Sequence, residues 1–367
     1  MKFTVNQPKL NEAVSIVFRA VPSKSPVTAL EGIKMYLSEN SLELTGFDLD
    51  MGIQTVIEVK SDNTGEFMVN SKLFSDIVKK LPVEDIDIEI DDKLKMTIKG
   101  GDAEFTILAF SADDYPSIPD VDRSDSFAIS QAMLKNMINQ TKFAVATSDN
   151  KPILTGELFE IQDGYFNLVA IDGFRLAVRT EAAGSDDRRK FVVKEKTLSE
   201  VSKLLKDEDK PVTMYLSKKH IIFDINGCMV ISRLLEGEFH NYRSSIPKSH
   251  STEVILNTKD ILTSLDRCSS LIDDQAKAPV RCIFENGNVN VSCSTSSGKF
   301  NGDFAAQITG AKVEIGFNCR YLMDAINATE SDKVKILLNG GLSPMKIVPT
   351  DGDSYTFLVL PVRLKSE

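Results

Sequence analysis

The sequence has 367 residues, 42% of them hydrophobic and 26% charged, which is the composition of a folded globular protein and excludes a disordered or collagen-like chain. Its 43 Lys and Arg against 53 Asp and Glu give a formal net charge of −10, which argues against a uniformly basic nucleic-acid binder. No apolar run reaches the roughly 18 residues of a membrane span and the start lacks the apolar core of a secretory signal, so we expect a cytoplasmic protein of two or three domains with no membrane partner.

The predicted elements recur along the chain at a constant interval. A short apolar strand followed by an amphipathic helix begins at Phe67, Phe191 and Ile315, so both intervals are 124 residues. A second helix also recurs three times, and each is predicted to begin after a polar capping residue: Asn6, Ser130 and Asn257. The apolar spacing therefore predicts six helices, at 7–20, 71–81, 130–142, 195–206, 258–271 and 319–330. Alternating segments between them predict strands, such as LELTGF, IDIEI, KMTI, NLVAI, IIFDI and VNVSC.

This repeat predicts an α+β protein built from three copies of one domain. The expected domains are 1–122, 123–249 and 250–367. Their boundaries fall in polar, proline-bearing stretches near 117–126 and 246–252, where we expect few contacts to cross.

Positive charge is concentrated in the predicted helices. Together they hold thirteen Lys or Arg and eight Asp or Glu, although the rest of the chain is strongly acidic. A solvent-exposed face is enough to explain any one basic helix. Six helices from three similar domains, however, would lie on one side of an assembly. A common basic face of this kind can contact the phosphates along a nucleic acid. Trp is absent and aromatic residues are few in these helices, so a duplex fits better than stacked single-stranded bases.

Signatures of catalysis are missing. The sequence contains none of the common phosphate-loop, dinucleotide-binding, zinc-protease or serine-hydrolase motifs. Its five cysteines form no CxxC pair and its three histidines are scattered, so we predict no metal, no cofactor and reduced, buried thiols. A cytoplasmic hydrolase with an unrecognised site is the competing interpretation.

Several segments, in order along the whole chain, resemble one family. They are MKFT at the start, TGFDLD at 45–50, ADDYPSIP at 112–119, IDGFRLAV at 171–178, RLLEGEFHNYRSSIP at 233–247, IGFNCRYLMDAI at 315–326 and LPVRL at 360–364. They are similar to the beta sliding clamps, the processivity subunits of bacterial DNA polymerase III. The resemblance implies three domains of the DNA-clamp fold and a head-to-tail homodimer that closes as a ring, with helices inside around duplex DNA and sheets outside.

The resemblance also implies a function without catalysis. Such a ring slides on double-stranded DNA without sequence preference and is retained topologically. A groove takes QLxLF-like motifs from the clamp loader, replicative and translesion polymerases and repair proteins. A monomeric scaffold that binds peptides without encircling DNA is the remaining alternative.

Three sets of residues are carried over from the resemblance or from the helix charges. The groove set is Leu154, Ile171, Gly173, Phe174, Arg175, Leu176, His240, Ser244, Asn318, Tyr321, Leu342, Leu360, Pro361, Val362 and Arg363. The DNA-facing set is Lys9, Arg19, Lys24, Lys72, Lys79, Lys80, Lys135, Lys142, Lys196, Lys203 and Lys206. The dimer set consists of an apolar anchor, Phe105, its partners on the facing subunit, Leu271 and Ile272, and an ion pair across the same interface, Glu104 and Lys299.

Overall fold

The computed structural model describes residues 1–61, 63–82, 84–148, 150–183, 188–272 and 278–364. The six helices within this part of the chain are α1 Gln7–Val17, α2 Ser71–Lys80, α3 Gln131–Thr141, α4 Glu195–Leu204, α5 Thr258–Ser269 and α6 Cys319–Asn327. All six predicted helices are confirmed, each ending one to three residues earlier than expected. Short 3₁₀ turns extend α1 and α3, at Phe18–Ala20 and Lys142–Ala144.

The strands are antiparallel throughout. The first thirteen are β1 Lys2–Asn6, β2 Gly32–Ser38, β3 Ser41–Phe47, β4 Met51–Glu58, β5 Gly65–Asn70, β6 Asp85–Ile90, β7 Lys95–Gly100, β8 Ala103–Phe110, β9 Ser126–Ser130, β10 Gly156–Gln162, β11 Tyr165–Ile171, β12 Arg175–Ala182 and β13 Arg189–Lys194. The others are β14 Pro211–Leu216, β15 His220–Ile225, β16 Cys228–Arg233, β17 Thr252–Asn257, β18 Val280–Glu285, β19 Asn288–Thr295, β20 Gly298–Ala305, β21 Gln307–Gly310, β22 Val313–Phe317, β23 Lys333–Leu338, β24 Met345–Val348 and β25 Tyr355–Val359.

The chain divides into two compact units. The first contains Met1–Leu134 and Glu200–Leu234, and its strands form one sheet in the order β1-β6-β7-β8-β5-β2-β3-β4-β16-β15-β14-β9. Helix α1 packs on β4 and on α2 because its apolar residues Leu10, Val14 and Val17 lie on one helical face and are fully buried.

The second unit contains Lys135–Ser199 and Leu235–Glu367. A nine-stranded sheet has the order β13-β10-β11-β12-β25-β24-β23-β17-β21, and a four-stranded sheet has the order β20-β19-β18-β22. Helices α5 and α6 pack on each other over a core that includes Leu265, Phe284, Phe317, Leu322 and Phe357.

Two strand ladders cross the regions where few contacts were expected. Strand β4 pairs with β16 in the first unit, and β12 pairs with β25 in the second. The expectation of few crossing contacts is therefore wrong. The physical reason is that an edge strand leaves backbone N–H and C=O groups unpaired, and pairing with the next edge satisfies them.

The predicted helix caps are confirmed in part. Ser130 accepts a hydrogen bond from the Met133 amide at 3.1 Å. Asn6 and Asn257 make no capping bond, because the amide groups of their side chains donate instead to Asp85 and Asp260.

Candidate functional site

An open cavity of about 570 Å³ lies within the second unit. Apolar side chains from the ends of β11, β12 and β25 form its floor, among them Ile171, Leu176 and Leu358, all less than a tenth exposed. The full lining is Lys151, Ile153, Leu154, Ile171, Gly173, Phe174, Arg175, Leu176, Glu238, His240, Ser245, Pro344, Leu358 and Leu360. A concave apolar floor with a few polar groups at its edge suits a short peptide with large apolar side chains.

The predicted groove residues divide into two groups. Eight of them line this cavity: Leu154, Ile171, Gly173, Phe174, Arg175, Leu176, His240 and Leu360. Seven lie outside its lining: Ser244, Asn318, Tyr321, Leu342, Pro361, Val362 and Arg363. Of these, Tyr321 contacts the wall directly, because its ring centroid is 5.9 Å from that of Phe174. Leu342 is 83% exposed, and the Val362 backbone bridges to Gly316.

Sequence reasoning missed six of the lining residues: Lys151, Ile153, Glu238, Ser245, Pro344 and Leu358. Leu358 could have been found, since it stands two residues before Leu360 and alternate residues of a strand share one face. Pro344 and Glu238 lie in loops, and no local pattern marks them.

The turn at residues 172–175 places Phe174 and Arg175 at one end of the cavity, which is called its aromatic end below. Asp172 accepts two backbone hydrogen bonds at 2.8 Å, from the amides of Phe174 and Arg175. Gly173, between Asp172 and Phe174, has a φ of 91°, a left-handed backbone conformation that favours glycine. The turn leaves Phe174 58% exposed and directs Arg175 inward, where it is 9% exposed. Asp48 makes the same pair of bonds in the first unit, to Asp50 and Met51, so this turn is part of the repeat.

The buried Arg175 has two carboxylate partners and lies over two aromatic rings, Phe143 at 5.8 Å and Tyr321. Its Nε donates to Asp172 at 3.0 Å and its Nη1 to Asp324 on α6 at 2.7 Å. Its guanidinium also lies 4.2 Å from the centre of the Tyr321 ring. These contacts join the turn to α6 and fix one wall of the cavity.

A second hydrogen-bonded group fixes the opposite wall. The hydroxyl of Tyr242 donates to Glu160 at 2.6 Å, and Arg243 pairs with the same buried carboxylate at 2.7 Å. Burial and the neighbouring carboxylate raise the pKa of Tyr242, so it remains a donor. The segment is thereby held against β10, and His240 and Ser245, 3.2 Å apart, lie at the cavity edge.

A second cavity of about 1140 Å³ lies beside the first, within the same unit. Arg175 lines both cavities. The second one is also lined by Lys142 and Lys196, two of the predicted DNA-facing residues, and by Arg320.

The predicted DNA-facing side chains lie at the surface. Ten of the eleven are exposed and Lys135 is half-buried. In the first unit, Glu200 pairs with Arg19 at 3.1 Å and with Lys203 at 2.7 Å. The Glu200 side chain is only 16% exposed, whereas those of Arg19 and Lys203 are 36% and 55% exposed, so both cations also face solvent.

Three of the predicted dimer residues, Glu104, Phe105 and Lys299, lie on two strands that each have an open side among the described residues. Along β8, Ala103 to Leu108 pair only with β7, because β5 reaches only Ala109 and Phe110. Strand β20 is an edge of its sheet and pairs only with β19.

The dimer side chains themselves are half-buried or exposed. Phe105 on β8 is half-buried, as are Leu271 and Ile272 after α5. Lys299 on β20 is exposed, and Glu104 pairs with Lys99 of its own chain at 3.3 Å.

The described part of the chain contains neither a metal-binding cluster nor a membrane-spanning helix. No group of three or more His, Cys, Asp and Glu residues there could hold a metal ion. No helix of these residues is long and apolar enough to span a membrane.

Three family models match successive parts of the chain. They describe the N-terminal, central and C-terminal domains of the DNA polymerase III beta subunit, at residues 1–119, 128–241 and 243–363. The chain belongs to the beta sliding clamp family. It is a DNA polymerase processivity factor with three clamp-fold domains of α+β architecture, as its motifs predicted.

Relatives and solved structures agree with this assignment over the full length. The beta sliding clamp of Bacillus subtilis is 31% identical, over 99% of this chain and 100% of its own. The crystal structure of that organism's DNA polymerase sliding clamp superposes with a TM-score of 0.96 at 31% identity, covering 100% of both chains. The structure of a putative DNA polymerase III beta subunit from Eubacterium rectale gives 0.94 at 33% identity and 99% of both chains.

Proposed function

We propose that two copies of this chain join head to tail into a closed ring of six domains that encircles double-stranded DNA. The three domains of each copy are 1–122, 123–249 and 250–367. The ring catalyses no reaction, works in the cytoplasm and keeps its partner enzymes on DNA. The observation that carries the proposal is the match to all three beta-subunit domain models along one chain.

The charge distribution supports weak, non-specific contact with the duplex. The predicted DNA-facing cations lie on or just after four helices and at Lys24, whereas the whole chain has a net charge of −10. Cations on the helices attract phosphates, and the acidic remainder repels DNA from the other surfaces. Because a closed ring cannot leave a circular duplex, the contacts need not be tight for retention.

The open sides of β8 and β20 support the head-to-tail contact. Each strand offers unpaired backbone groups, and pairing between copies would satisfy both. Phe105 is half-buried in one chain, so the facing Leu271 and Ile272 of a second copy would complete its burial. Glu104 would exchange its Lys99 partner for Lys299 of that copy.

The cavity of the second unit supports recognition of QLxLF-like motifs. Its floor of Ile171, Leu176 and Leu358 would bury the motif's leucines, and the exposed Phe174 would contact the motif's aromatic residue. The clamp loader, replicative and translesion polymerases and repair proteins that carry such motifs would therefore compete for one site.

A charge-removal experiment separates DNA contact from peptide binding. Replacing Lys79, Lys80, Lys203 and Lys206 together with Ala should reduce loading onto nicked plasmid without changing peptide affinity. A matched control removes four other exposed lysines of the same unit: Lys93, Lys95, Lys218 and Lys219. Equal loss of loading in the control set would contradict the basic-face assignment. Loss of peptide binding together with loading in the first set would indicate misfolding.

A further inference from the structure

The guanidinium of Arg175 depends on a carboxylate that lies outside the groove. Asp172 already uses one oxygen for two amides of its turn and the other for Arg175 Nε. The bond from Nη1 therefore goes to Asp324, at 2.7 Å. Because Arg175 is only 9% exposed, losing this carboxylate would leave a buried donor and charge poorly compensated.

Asp324 lies in the second cavity and not in the groove. It stands three residues after Tyr321 on α6, so the two side chains share one face of that helix. Asp324 is not among the residues that line the groove, so its effect on a peptide held by that lining would act through its neighbours.

The contacts from Asp324 lead to the aromatic end of the groove in three steps. Asp324 holds Arg175, whose guanidinium covers the Tyr321 ring at 4.2 Å. The Tyr321 ring packs 5.9 Å from Phe174. Phe174 is 58% exposed, so the core covers less than half of its side chain, and the Tyr321 ring is a contact that can position it.

We propose that Asp324 is a positioning residue for the groove: it keeps Arg175 on Tyr321 and so places Phe174 where the aromatic residue of a bound motif packs. This inference rests on the proposed peptide-binding function. Without Asp324, the guanidinium turns toward the second cavity, which it also lines. Tyr321 and Phe174 then lose their fixed arrangement, and the groove keeps its aliphatic floor but loses a defined aromatic end.

The test measures the affinity of two peptides for four proteins. The peptides are a fluorescein-labelled QLxLF-type decapeptide and the same peptide with its Phe replaced by Ala. The proteins are the full-length wild type, Asp324→Asn, Asp324→Ala and the control Asp266→Asn, an exposed aspartate on the neighbouring α5. Fluorescence anisotropy gives each dissociation constant, and thermal melting reports whether each variant is folded.

Asp324→Ala should weaken the Phe peptide about tenfold, the factor expected for a lost hydrogen bond to a charged group, and should change the Ala peptide less than about twofold. Asp324→Asn keeps an acceptor oxygen, so its loss should be intermediate, and Asp266→Asn should match the wild type. Two results would overturn the proposal: unchanged affinity of the Phe peptide for both Asp324 variants, or equal weakening of both peptides. If the wild type binds neither peptide, the groove function itself is wrong.

Discussion

A buried carboxyl in the second unit should make the stability of this protein depend on pH. Glu157 on β10 is completely buried and accepts a hydrogen bond from the Thr141 hydroxyl. Its other oxygen has no partner among the described residues. Burial raises the pKa of Glu157 from 4.5 to about 8, with Glu195 adding to the rise and the Thr141 bond and Lys142 opposing it. The perturbation that tests this is Glu157→Gln, which copies the shape of the neutral acid.

The sign of the effect follows from proton binding. The pKa of Glu157 is 4.5 in the unfolded chain and about 8 in the folded protein. Between these two pH values the folded protein therefore binds more protons than the unfolded chain. Its contribution to the free energy of unfolding is therefore full below pH 4.5 and is lost as the pH rises to about 8. At about 1.4 kcal/mol per pH unit, the wild type should lose about 3 kcal/mol relative to Glu157→Gln between about pH 5.5 and about pH 8.

Differential scanning fluorimetry across this pH range measures the difference. For a unit of this size, about 3 kcal/mol corresponds to a melting temperature roughly 6 to 12 °C higher for Glu157→Gln at the alkaline end. Glu160→Gln is the matched control, on the same strand, but its carboxylate is paired with Arg243. Glu160→Gln should melt at a lower temperature than the wild type. Because it retains Glu157, its melting temperature should change with pH in parallel with that of the wild type. Parallel pH curves for the wild type and Glu157→Gln would refute the reasoning.

Three other outcomes are expected. Phe105→Ala should shift dimers toward monomers, because a desolvated aromatic anchor contributes about 2 kcal/mol or more to an interface, and an unchanged dimer at nanomolar concentration in mass photometry would remove Phe105 from that role. Asn318→Ala should lower the free energy of unfolding by about 1 kcal/mol in urea titrations, because Asn318 caps α6 by accepting from the Tyr321 amide, and Asn318→Ser should recover most of that loss. Burial raises the pKa of the Cys228 and Cys282 thiols to about 12, so both should react with iodoacetamide much more slowly in the native protein than in urea, and equal labelling rates would contradict their burial.

Local sequence patterns were enough to predict the six helices and to recognise the family. They did not predict the contacts between segments that are distant in the sequence. The six helices were predictable because apolar residues such as Leu10, Val14 and Val17 recur at helical spacing. The β4–β16 and β12–β25 ladders were not predictable, because the sequence of a strand does not identify the edge strand with which it pairs.

The candidate site shows the same division. The motif IDGFR located the turn that carries Phe174 and Arg175, and the structure brings eight of the fifteen predicted groove residues to one cavity. Asp324 lies 149 residues from its partner Arg175, so no local pattern could connect them. The caps at Asn6 and Asn257 failed because nearby carboxylates compete for the same side chains.

Retention on circular DNA tests encirclement most directly. The protein is loaded by its clamp loader and ATP onto a nicked circular plasmid, washed in high salt to remove phosphate contacts, and the plasmid is then cut once. A closed ring predicts that the protein stays on the circle through the wash and leaves after linearisation. Loss of all protein in the wash with a verified loader, or equal retention on circular and linear DNA, would contradict a topological link.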